Sequence, residues 1–167
     1  MILPIYLYGS EVLRRENTDM DINDKEGIAK LVADMRDTLQ VADGCGLAAP
    51  QVGINKRVVI VDGRELTDTY DYLKDFYRVM INPVVLEESE DTCEYSEGCL
   101  SVPGKAGTVT RPNEVTVKAY NLKGQEITVT GTELLARALC HEIDHLDGIV
   151  YVEKVEGKLW ETAAQEE

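Results

Sequence analysis

Apolar residues recur at helical spacing in two stretches of the chain and at strand spacing in several short ones. From Asp24 to Ala42, Ile28, Leu31, Val32, Met35 and Leu39 fall three or four apart, the period of an amphipathic helix. Asn23 and Glu26 stand where a capping box would start it, and Gly44 lies just past its end. A second helix is predicted from about Gly131 to Leu146, with Thr130 and Glu133 as capping box and Gly148 beyond the end. Its apolar residues, Leu134, Leu135, Ala138, Leu139, Ile143 and Leu146, cover more than one stripe, so this helix should pack on several sides. β-Branched runs over Arg57 to Val61, Val79 to Leu86, Glu114 to Tyr120 and Glu126 to Val129 predict strands. The last two flank Asn121 to Gly124, a hairpin signal. The order of elements predicts an α+β fold, antiparallel β-sheets packed around a central helix. Gly63 to Tyr77 fits no pattern and reads as a surface excursion.

Length and composition narrow the picture. The 167 residues, 44% hydrophobic, suit one domain over 1–167 with a short acidic tail from about 153 to 167. A net charge of -14 argues against a broad surface for nucleic acid or anionic lipid. The opening has no basic region, and its apolar run is interrupted by Pro4. Neither a signal peptide nor a membrane span is visible, and a cytoplasmic protein is expected. The four cysteines lack framework spacing and read as thiols. Cys45 and Cys140 are expected as small buried hydrophobes, and Cys93 as a strand residue.

The second predicted helix carries the chemistry. His141-Glu142-Ile143-Asp144-His145 reads HExxH and holds both histidines of the chain. Four residues are little more than one helical turn, so both imidazoles share a face and can reach one ion. Chance spacing of two surface histidines is the alternative, but imidazoles on a buried helix need partners, and a metal supplies one to each. A catalytic ion takes three protein ligands and keeps a position open, whereas a structural zinc site is closed by four. Downstream, Asp147, Glu153 and Glu156 sit in no recognisable ligand motif. Upstream, Glu97-Gly98-Cys99-Leu100-Ser101 offers a thiolate beside a glycine that lets backbone approach. Cys99 is therefore the expected third ligand.

Three separated motifs now coincide with a known pattern. Gly44 to Gln51 (GCGLAAPQ), Glu97 to Ser101 (EGCLS) and His141 to Gly148 (HEIDHLDG) resemble, in order and spacing, the motifs of the peptide deformylases. Leu3 to Ile5 and Arg111-Pro112 are similar too, so the resemblance spans about residues 1 to 152. It implies metal-dependent removal of the formyl group from N-terminal formylmethionine of nascent polypeptides, with Cys99, His141 and His145 as ligands. It further implies Glu142 as general acid/base, Gln51 and the Leu100 backbone N–H as oxyanion donors, and Fe(II) as native metal, with Zn, Ni or Co able to replace it. Gly44, Cys45, Gly46, Glu97 and Gly98 are expected to line the bound peptide.

The residue types suit these roles, though alternatives stand beside them. Glu142 is offset from the ligand face and can move a proton without closing the coordination sphere, or it is a solvated carboxylate. Gln51 can donate to an oxyanion, or it is a turn residue after Pro50. The glycines around Cys45 either form a tight turn or expose backbone to an extended peptide. Glu97 either braces the ligand loop through Arg111 or is solvated. Two other functions share the helix motif: an HExxH endopeptidase, which leaves the other two motifs without a role, and a noncatalytic zinc module, which needs a fourth ligand from Cys45, Cys93 or Cys140. The chain departs from the family pattern at Gly9, where many members have proline, and in the length of the 63–77 excursion. The resemblance leaves ribosome contact open, but the acidic tail lacks the basic C-terminal helix with which some relatives dock.

Overall fold

Val58-Val59-Ile60-Val61 contains no polar residue because both faces of its strand are buried. In the computed structural model, which describes residues 1–42, 44–64 and 76–162, this run belongs to a five-stranded antiparallel sheet. Its strands are β1 (Gly46–Ala48), β2 (Val58–Asp62), β3 (Tyr77–Glu88), β6 (Glu114–Tyr120) and β7 (Glu126–Thr132), in spatial order β1-β2-β3-β6-β7. Val58 and Ile60 join Leu47, Val79 and Ile81 against the apolar stripe of helix α1 (Lys25–Ala42), formed by Ile28, Leu31, Val32, Met35 and Leu39. Val59 and Val61 point the other way, with Ala48, Met80, Val115, Val117 and Ala119, onto helix α2 (Leu134–Leu146). Strand alternation thus sorts consecutive apolar residues onto two helices. A second antiparallel sheet, β4-β5-β8, is built from β4 (Thr92–Cys99), β5 (Val102–Pro112) and β8 (Val155–Glu161). The α+β expectation holds, with α2 lying between the sheets and in contact with β1, β2, β5, β6 and β7. No helix among the described residues is long and apolar enough to cross a membrane.

The four predicted strands and both helices are present, and the differences lie at their ends. Asp24, not Asn23, caps α1, accepting the Gly27 N–H at 3.0 Å; a side chain at Gly27 would overlap that carboxylate. The β6–β7 hairpin turns on Asn121, whose Oδ1 accepts the N–H groups of Lys123 and Gln125 at 2.9 and 3.0 Å. Thr130 and Glu133 form no capping box. The ladder runs on to Thr132 paired with Glu114, and Thr130 Oγ1 lies 3.0 Å from Thr116 Oγ1 across it. Four strands are missing from the sequence reading: β1 has only three residues, β4 and β5 are rich in small and polar residues, and β8 lies in the segment read as an acidic tail. That tail reading is corrected over 155–161, where pairing with Lys105 to Val109 of β5 supplies order that composition does not announce. Most of the 63–77 excursion lies outside the described residues, although Tyr77 begins β3 and the Gly63 N–H bonds the Phe76 carbonyl at 2.8 Å.

Glu133, the exposed junction between β7 and α2, has φ 54° and ψ -122°, a conformation that favours glycine. Such strain costs on the order of 1–3 kcal/mol, against roughly 0.5–1 kcal/mol for glycine's extra freedom in the unfolded chain. Glu133→Gly should therefore raise stability by about 1 kcal/mol, read as a higher urea midpoint with unchanged slope. A lower midpoint would show that the glutamate side chain holds this junction.

Candidate metal centre

Helix α2 brings His141 and His145 to one face, and the end of β4 brings Cys99 to them. The three ligand atoms lie within 4.8 Å of one another, with Cys99 Sγ 3.4 Å from His145 Nε2. Bonds of about 2.3 Å to sulfur and about 2.1 Å to nitrogen at a tetrahedral ion would set those atoms roughly 3.6 Å apart. One thiolate and two imidazoles at this spacing fit a single divalent ion. Among the described residues no other cysteine, histidine or carboxylate completes the group. The described residues therefore form no closed four-ligand zinc site.

The rest of the site is arranged around these atoms. The His141 Nδ1 faces Glu97 Oε1 at 2.9 Å. Burial opposes ionisation of Glu97, but hydrogen bonds from His141 and Arg111 outweigh it and hold the carboxyl well below its usual range. An ionised Glu97 accepts the Nδ1 proton and orients the ring, the arrangement that turns Nε2 toward a metal when one binds. Arg111 grips Glu97 through two bonds of 2.9 and 3.0 Å and reaches Asp144 at 2.6 Å, with its own side chain only 3% exposed. The Glu97–Arg111 pairing considered from the sequence is thus a buried bidentate bridge. Both oxygens of the Glu97 carboxylate are engaged within the protein, and the residue lines the cavity. The expectation of a buried Cys45 is corrected. It is exposed, set between two glycines at the cavity rim, whereas Cys140 is buried as expected.

Glu142, buried beside these three candidate ligands, has one carboxylate oxygen, Oε1, with no hydrogen-bond partner among the described residues. Burial lifts its pKa to about 7, while His141 pulls it down. A buried oxygen without a partner in a polar pocket marks a place for water or substrate. Glycine at position 46 makes room for this carboxylate, since a Cβ there would overlap it. Gln51 is almost fully buried in a short 3-10 turn, Ala49–Val52. Its Oε1 accepts the Ala48 N–H at 2.9 Å, and its Nε2 donates to Ser101 Oγ at 3.0 Å and toward Cys99 Sγ at 3.5 Å. That is more than turn chemistry, because it aims one N–H toward the Cys99 sulfur. Gly44, Gly98 and Leu100 join these groups in the wall of a cavity of about 1020 Å³.

The matching profile is that of polypeptide deformylase, over residues 2–159. The chain belongs to the polypeptide deformylase family. It is 48% identical over 147 residues to a peptide deformylase of Acetivibrio thermocellus, covering 88% of this chain and 79% of that one. A Lachnoclostridium phytofermentans peptide deformylase is 50% identical, with coverages of 84% and 81%. Among solved structures, a class I type b peptide deformylase from Acinetobacter baumannii with Met-Ala-Ser bound superposes with a TM-score of 0.84 at 35% identity, over 93% of this chain and 99% of that one. The Thermotoga maritima enzyme gives 0.84 at 30%, over 94% and 99%. The family's activity is metal-dependent removal of the formyl group from nascent peptides, so this deformylase is a metal-dependent hydrolase.

Sequence reading missed four neighbours of the site. Ser101 orients Gln51, Asp144 anchors Arg111, the Tyr151 ring stacks on His141 at 5.8 Å between centroids, and Arg137 donates to Glu97 at 2.5 Å. Ser101 and Asp144 lay inside the EGCLS and HEIDHLDG motifs without an assigned role, and Arg137 left a signal in its spacing. It lies four residues before His141, on the same helix face.

Proposed function

We propose that Cys99, His141 and His145 hold the divalent ion on which deformylation depends, natively Fe(II), with Zn, Ni or Co able to take its place. The observation that carries this reading is the close cluster of three ligand atoms beside a buried carboxylate with a free oxygen. The bound ion supplies Lewis acidity, which polarises the formyl carbonyl and makes water acidic enough to attack near neutral pH. Glu142 takes the proton of the attacking water and returns it to the departing amine. The Gln51 N–H nearest Cys99 and the Leu100 backbone N–H donate to the oxyanion as it develops. Backbone groups of Gly44, Cys45, Gly46 and Gly98 pair with an extended peptide, so downstream side chains matter little. Residues 1–167 act as one metallohydrolase domain, in the cytoplasm.

A cramped space between Gly46, Gln51 and Cys99, with the Glu142 carboxylate packed against Gly46, would admit a formyl hydrogen and exclude a methyl group. The Met-Ala-Ser held by the Acinetobacter baumannii relative is what formyl-Met-Ala-Ser would leave after deformylation. Formate release from formyl-Met-Ala-Ser should therefore far exceed acetate release from acetyl-Met-Ala-Ser, by more than the roughly 1–3 kcal/mol that a methylene is worth in a pocket. Comparable kcat/KM for the two peptides would refute the steric gate, and cleavage of an internal peptide bond would favour the endopeptidase. Metal analysis after anaerobic purification tests the iron assignment.

A further inference from the structure

We propose that Arg137 is a positioning residue for the metal centre, setting how tightly the ion is held. The inference rests on the ligand assignment above. Arg137 occupies α2 one turn before His141, and its side chain is only 6% exposed. Its NH1 donates to Glu97 Oε2 at 2.5 Å and to the Val109 carbonyl at 2.8 Å, and its NH2 to the Cys93 carbonyl at 2.9 Å. Glu97 and Cys93 belong to β4 and Val109 to β5. One guanidinium therefore ties the helix that carries both histidines to the two strands whose junction carries Cys99. It also completes the four bonds around Glu97, whose Oε1 receives His141 and Arg111 while Oε2 receives Arg111 and Arg137. Without Arg137, Oε2 keeps the single Arg111 bond and α2 loses its guanidinium tie to β4 and β5, so the carboxylate that aims the His141 ring is held less firmly.

Electrostatics separates positioning from charge. Removing a cation near a metal site strengthens metal binding if charge alone acts. Loss of an outer partner that aims a ligand weakens it, by about 10–100-fold. The experiment is a chelator competition for Co(II) on wild type, Arg137→Leu and Arg137→Lys, with the thiolate-to-cobalt absorption band recorded for each. Arg137→Leu should bind Co(II) about 10–100-fold more weakly with a shifted band. Arg137→Lys, which keeps the charge and one bond, should recover part of both and is read alone if the leucine variant does not fold. Ile28→Ala, a cavity on the far side of the large sheet, controls for lost stability and should leave both unchanged. Unchanged or tighter binding in the Arg137 variants, or the same loss in Ile28→Ala, would overturn the proposal. Failure of wild type to bind Co(II), or full binding by His145→Ala, would instead overturn the ligand assignment.

Discussion

Glu142→Ala should load one equivalent of metal and release formate at least about a hundredfold more slowly than wild type, since positioned acid/base groups contribute typically 10²–10⁴-fold. Glu142 follows His141 on the helix but has an oxygen without a partner, so it is spare to the ligand set and free to handle a proton. The loss should appear in kcat with KM little changed, the signature of an interaction made in the transition state. Glu142→Gln keeps the shape and cannot accept the proton; it should be as slow as the alanine variant. Neither substitution should lower the melting temperature by much, because a buried carboxylate oxygen without a partner stabilises nothing. Formate release by Glu142→Gln at near wild-type rate would show that proton transfer runs through another group.

Cys99→Ala should fail to retain the ion at all. An outer partner is worth about 10–100-fold in affinity; removing one of three proposed direct ligands should exceed that and leave metal content near background after dialysis. The fold should survive. β4 remains paired to β5 from Thr92 through Glu97, and Glu97 remains gripped by Arg111 and Arg137. Circular dichroism unchanged from wild type, together with absent metal and absent activity, is the expected result. Retention of one equivalent at unchanged affinity would remove Cys99 from the site.

Local pattern made the main elements readable in the sequence. The stripe from Ile28 to Leu39, the β-branched runs and the Asn121 turn each carry their reason within a few residues, and all reappear where periodicity put them. The family followed from three motifs, and within the site so did the pairing of His141 with His145, because helical spacing alone puts two residues four apart on one face. The strands β4, β5 and β8 were not legible. TCEYSEGC, VPGKAGTVTRP and VEGKLWE lack clear apolar alternation and gain their order from partners distant in the chain, which no local window contains. The cap of α2 failed for the same reason, since pairing with Glu114 kept Thr132 in the sheet where local chemistry suggested a helix start.

The sequence by itself determined which candidate ligand and acid/base types the chain offers, since HExxH and EGCLS are local strings and a ligand must be the right atom before it is in the right place. Tertiary structure alone decided what surrounds them. It buried Glu97 and gave its carboxylate four donors, from β5 and α2. It left Glu142 Oε1 open, exposed Cys45 at the cavity rim and turned Gln51 toward Cys99. Each depends on groups that are remote in sequence and meet only when two sheets close on α2. The cost of burying a charge depends on those neighbours, and a string of residues does not contain them.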